Sequence, residues 1–81
     1  MLTGPLLKAA RVLAGRSVQE VAQRSGLGEA TIKRAEAAAA ETRMTHANLA
    51  ALKSAYATLG VEFLSRDDGA VGVVIRSSDQ D

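Results

Sequence analysis

The chain has 81 residues, one His and no Cys, which allows a single domain with a core small enough to make a second copy an expectation. The absence of Cys excludes a disulfide framework and a thiolate metal site, and it suits a reducing, cytoplasmic setting. The net charge of +1 hides a split: residues 1–60 carry eight basic against four acidic side chains (+4) and residues 61–81 two against five (−3), so the two parts are expected to do different things.

Gly4-Pro5 precedes Leu6, Leu7, Ala10, Leu13 and Ala14, apolar positions at helical spacing. Thr3 or Gly4 can cap this first helix, and Pro5 suits its first turn, where the missing N–H would have no partner anyway. Gly15 ends it, with Arg11 and Arg16 near the negative end of the dipole. Ser17 and Glu20 form a capping-box signature, so a second helix starts at Ser17. Its apolar positions are Val18, Val21 and Ala22, and it stops at Ser25-Gly26, where Gly26 permits a turn with positive φ.

Gly28 stands at the N-cap of a third helix, a weaker cap than Ser or Thr. Glu29 suits the positive end of that helix, which is expected to continue through Ile32 and Ala35 into the alanines at 37–40, a run of high helix propensity. Thr42-Arg-Met-Thr45 reads as a loop, with Thr45 capping a fourth helix striped by Leu49, Leu52, Tyr56 and Leu59 and ended by Gly60. The period then changes from helical to alternating. Val61-Glu-Phe-Leu and Val71-Gly-Val-Val-Ile read as strands around the turn-former Asp67-Asp-Gly69, and residues 77–81 as a frayed polar tail.

The expected fold is therefore mainly α: a bundle of four to five helices over residues 1–60, a C-terminal two-stranded β-hairpin over 61–76, and a flexible tail. A lone hairpin is marginal in water. It must pack back on the helices or pair with the hairpin of a second molecule, and Val61, Phe63, Val71, Val73 and Ile75 are the residues expected in that packing, as a dimerisation element.

Residues 17–36 carry the strongest functional signal. Two short helices broken at Gly26, a small residue (Ala22) at their crossing, and Val21, Ile32 and Ala35 to fix them on a core meet the needs of a helix-turn-helix. With Ser17, Glu20 and the run Ala30-Thr-Ile-Lys-Arg34, the chain resembles the phage-repressor-like helix-turn-helix family of the Cro/C1 (Xre) type, from about Leu6 to Leu59. It resembles most the small members that continue into Gly-Val-Glu-Phe, here Gly60 to Phe63.

That resemblance implies a DNA-binding transcription regulator, a repressor by preference, whose third helix enters the major groove. The positions that would face bases are Glu29, Ala30, Lys33 and Arg34. Lys33 or Arg34 would bond guanine O6 and N7, Glu29 a cytosine amino group, and Ala30 a thymine methyl. Gln19, Gln23, Thr31 and Arg43 would meet the DNA backbone. Two positions depart from the family pattern: Val18 replaces the Gln that often binds a phosphate, and Gly28 replaces the usual Ser or Thr cap. Both weaken the backbone grip and point to a homodimer on a palindromic operator.

Other function classes find little in the sequence. Ser17 and Ser25 lack a His base and the acids are scattered, so no enzyme is expected. His46 has no companion ligands, so no metal, cofactor or small-molecule ligand is expected. No apolar run approaches the ~18 residues of a membrane span, and no charged-then-apolar leader opens the chain. The low net charge disfavours a sequence-indifferent DNA binder. The main alternative is an antitoxin or partner-binding module that uses the acidic hairpin.

Overall fold

The computed structural model describes residues 2–40 and 42–76, so the frayed tail expected at 77–81 lies outside the described residues. Four helices, α1 (Gly4–Ala14), α2 (Val18–Ser25), α3 (Glu29–Ala37) and α4 (His46–Thr58), are followed by strands β1 (Val61–Ser65) and β2 (Val71–Ile75). The architecture is mainly α with a C-terminal antiparallel hairpin, and four is the number of helices among the described residues.

Local chemistry explains most of the boundaries. The Thr3 hydroxyl accepts the Leu6 N–H at 3.2 Å, so Thr3, not Gly4, caps α1. Ser17 and Glu20 form the reciprocal capping box that starts α2, and the Thr45 hydroxyl accepts the Asn48 N–H to start α4. Gly26, at φ 76°, ends α2 in the left-handed conformation, where a side chain would be strained.

The end of α3 corrects the expectation that the helix runs on through residues 37–40: it stops at Ala37. The start of the chain takes the backbone that a longer helix would have used. The Gly4 N–H donates to the Ala40 carbonyl at 3.1 Å, and the Thr42 N–H to the Leu2 carbonyl at 3.0 Å. Gly4 lies so close to this strap that a Cβ on it would collide with the carbonyl oxygens of Ala38 and Glu36. Two tertiary hydrogen bonds and a tight backbone crossing outweigh a few tenths of a kcal/mol of alanine propensity per residue.

The core gathers one face from every helix: Leu7 and Ala10, Val21 and Ala22, Ile32 and Ala35, Leu52, Ala55 and Tyr56, joined by Leu2 and by Val61 of β1. Leu49 and Leu59 of the α4 stripe pack at its margin. Leu13, expected on the apolar side of α1, instead stands exposed beside Val12.

An ion pair fastens α1 to the last turn of α3. Arg11 donates from Nε to Glu36 Oε2 at 2.8 Å and from Nη2 to Oε1 at 3.0 Å, and its Nη1 donates to the Arg16 carbonyl at 3.2 Å. The Glu36 side chain is only 9% exposed, so the bidentate geometry has to offset its desolvation. The hydrogen bond to Glu36 raises the Arg11 pKa above its ordinary value. Nearby, the Tyr56 hydroxyl is buried with no hydrogen-bond partner among the described residues. Burial, aided by the Glu36 charge, pushes its pKa up to about 12.

The hairpin packs on its own helices. Register pairs Val61 with Ile75, Phe63 with Val73 and Ser65 with Val71, so all five apolar residues singled out in the sequence share one face, since alternate residues point the same way. Val61 is fully buried in the core, Phe63 and Val73 pack against it, and Phe63 meets Tyr56 edge-on at 5.7 Å between ring centroids. Val71 and Ile75, at the far ends of β2, are 44% and 38% exposed.

Candidate functional site

The turn between α2 and α3 consists of Gly26, Leu27 and Gly28, with Leu27 packed against the core. Val21 and Ala22 on one side and Ile32 and Ala35 on the other are all buried, which sets the two helices against the body by their inner faces. What remains outside follows from helical geometry. On α3, Glu29, Ala30, Lys33, Arg34 and Ala37 are exposed, and at ~100° per residue they form one continuous arc of about 140°. On α2, the outer face carries Gln19, Glu20, Gln23 and Arg24.

Gly28 supplies no side-chain cap to α3; its carbonyl accepts from Thr31 and Ile32, 3.1 and 3.2 Å away. The first turn of α3 is thus held by burial and backbone alone. Glu20 is engaged differently: the Ser17 N–H that its carboxylate accepts holds its pKa below the usual range.

Behind Arg34 the surface folds into a cleft of about 620 Å³ between α3 and the start of α4. Thr31, Arg34, Thr42, Arg43, Thr45 and Asn48 supply its polar lining. Arg34 Nη2 approaches Thr31 Oγ1 at 3.5 Å, the outer limit of a hydrogen bond. The candidate residues therefore divide. Glu29, Ala30 and Lys33 lie on the open face of α3; Thr31, Arg34 and Arg43 meet in the cleft; Gln19 and Gln23 stand apart on α2.

Charge is distributed unevenly over the helices. Arg11 and Arg16 pair with Glu36 and Glu20, and in the hairpin Arg66 pairs with Asp68 and Arg76 with Glu62. Among the described residues, Lys33, Arg34 and Arg43 enter no salt bridge, nor does Arg24 on the adjoining helix. Glu29 is the one acid on the open arc of α3. Lys8 on α1 and Lys53 on α4 are likewise outside these salt bridges, so α3 and its flanks hold four of the six cations of residues 1–60 that enter none of them.

The sequence reading did not single out Arg24, Thr42, Thr45 or Asn48 as parts of this surface. Thr45 was visible as a cap, but nothing in spacing shows that the start of α4 returns beside Arg34. Among the described residues no group of three His, Cys, Asp or Glu side chains is placed to hold a metal ion, and no helix is long and apolar enough to cross a membrane. No protein-family model matches the chain, and no curated protein matches it closely enough to count as a relative.

Proposed function

We propose that the chain is a sequence-specific DNA-binding regulator, α2 and α3 acting as a helix-turn-helix of the Cro/C1 (Xre) type. The observation that carries this reading is the placement of Lys33, Arg34 and Arg43. Among the described residues they enter no salt bridge, and they stand on and beside one exposed helical face, whereas Arg11 and Arg16 are consumed in ion pairs. Free cations on a convex helix suit a polyanion whose groove admits a helix.

In this reading Glu29, Ala30 and Lys33 face base edges. Arg34 stands on the border between bases and backbone, and Gln19, Gln23, Thr31 and Arg43 meet phosphates. A two-fold dimer would present two copies of α3 to successive major grooves of a palindromic operator. In this reading, repression by occupancy of the operator, in the cytoplasm, is the simplest regulatory mode.

Selection of bound sequences from a random duplex library tests the proposal. A defined, two-fold symmetric motif is expected. Lys33→Ala should then lower affinity for that motif by about 1–3 kcal/mol and relax preference at one base position, while Arg43→Ala should weaken all sequences alike and reduce the salt slope by about 1. If no sequence is enriched over the starting library, the reading is wrong.

The exposed apolar residues of the hairpin also favour a protein contact, and a purely partner-binding role is the competing reading. It predicts no enrichment of any DNA.

A further inference from the structure

The cleft behind Arg34 holds more than DNA phosphates can use. Part of its lining is apolar and small: Ala35, Ala38, Ala39 and Ala40 contribute methyl groups, and Met44 completes the patch. Arg34 from α3 and Arg43 from the segment ahead of α4 bring two exposed cations to the same hollow. In the DNA-binding reading a duplex rests on the outer arc of α3 and meets this cleft with backbone oxygens, which gain nothing from methyl groups.

The apolar patch is fixed in advance. The Ala40 carbonyl accepts the Gly4 N–H, and the Thr42 N–H donates to the Leu2 carbonyl. Ala35 belongs to the core and Met44 packs against it. A preformed wall spares a ligand the cost of ordering it. The volume of about 620 Å³ falls within the range of roughly 300–1,000 Å³ typical of small-molecule sites.

Charge selects the occupant. Among the described residues, Arg43 makes no side-chain hydrogen bond, and Arg34 has only its 3.5 Å contact with Thr31. No Asp or Glu among the described residues lines the cleft. Guanidinium groups match carboxylate and phosphate oxygens, and the positive end of α4, which starts at Thr45 on the cleft wall, adds to their field. The hollow at the hairpin turn lacks this combination: Ser65, Arg66, Asp67 and Asp68 line it, with no apolar residue.

We infer that the cleft binds a small organic acid, its carboxylate or phosphate held by Arg34 and Arg43 and its compact apolar body lying over Ala38, Ala39 and Met44. This departs from the sequence expectation of no small-molecule ligand, since no motif marks a hollow lined by alanines. For its regulatory use the inference rests on the DNA-binding reading above: the same two arginines are assigned there to the duplex, so a bound acid takes them away and releases the operator. Binding of the acid itself needs no DNA.

The test titrates the full chain with phenyl phosphate and with phenylacetate, followed by NMR at the methyl groups of Ala38, Ala39 and Met44. One or both acids should give saturable shifts there, and the tighter identifies the head group. Inorganic phosphate, a head without a body, and benzyl alcohol, a body without a head, should each bind at least about tenfold more weakly. Arg43→Ala should cost the better acid about tenfold or more in affinity, with circular dichroism unchanged. Ala39→Leu, at an exposed position, should weaken the acid by filling its space and leave inorganic phosphate as before. The better acid should release a selected duplex from the native chain and not from Ala39→Leu.

The inference is overturned if neither acid gives saturable shifts at these methyl groups at millimolar concentration. Inorganic phosphate or benzyl alcohol binding as tightly as the better acid would also exclude it, as would an Arg43→Ala variant of undiminished affinity. A duplex that stays bound while the cleft is saturated removes the regulatory use. If the library selection enriches nothing, the DNA-binding reading falls and the titration still decides the cleft by itself.

Discussion

The two ends of α3 are held in opposite ways. At its last turn Glu36 grips Arg11 through two hydrogen bonds, and the chain beyond Ala37 is strapped to residues 2–4. At its first turn Gly28 provides no side-chain cap, and Glu29, Ala30 and Lys33 have only solvent in front of them. One end is bonded inward and the other stands open to solvent. A helix meant to read a surface needs both conditions, because an anchored end fixes the direction in which the free end points.

Changes at the anchored end should cost stability, and changes at the free end should not. The largest effect is expected for Gly4→Ala, whose Cβ would run into the carbonyl oxygens of the strap; a loss of about 3 kcal/mol follows, because backbone cannot give way as a side chain can. Thermal unfolding measures it, and an unchanged Tm would mean that the strap is loose. Next comes Glu36→Ala, which leaves the Arg11 guanidinium half-partnered beside the core. About 2 kcal/mol should be lost, and binding should weaken with it as the direction of α3 relaxes.

Tyr56→Phe should act through pH. The folded-state pKa of Tyr56 is raised to about 12, above the usual tyrosine value of about 10, so the unfolded chain ionises first. Stability is therefore intact below pH 10 and falls as pH rises from about 10 toward 12. In the Phe variant this alkaline loss should shrink. At neutral pH the variant should be as stable as the native chain or more so, since the hydroxyl it lacks had no partner. Denaturant midpoints across that pH range decide it. The smallest effect on folding belongs to the free end: Lys33→Ala should move stability by less than about 0.5 kcal/mol, whatever it does to DNA.

The sequence was most readable where structure is made by neighbours. Ser17 with Glu20, Thr45 with Asn48, and Gly26 act within one turn, so cap and turn chemistry places α2, the start of α3 and the start of α4. The alternation of Val61, Phe63, Val71 and Val73 likewise fixes which residues share a face, though not that the helices of the same chain lie against it. What stayed hidden depends on residues far apart in the chain. Nothing local links Arg11 to Glu36, and the alanines at 37–40 favour helix until residues 2–4 arrive to claim their backbone. The candidate surface divides the same way: the arc of α3 follows from its period, but the return of Arg43 and Asn48 beside Arg34 does not.

The strap that ties residues 2–4 to Ala40 and Thr42 also sets an order in time. Its bonds join the first described residues to the segment just ahead of α4, so during synthesis the strap cannot close until Thr42 has emerged. Closing a loop of this length adds little free energy over a shorter one, but contacts between distant residues slow the search for them. The hairpin faces no such delay, since its strands are separated by only five residues, 66–70. A lone hairpin is marginal in water, however, so it settles only once the helices are there to receive Val61, Phe63 and Val73.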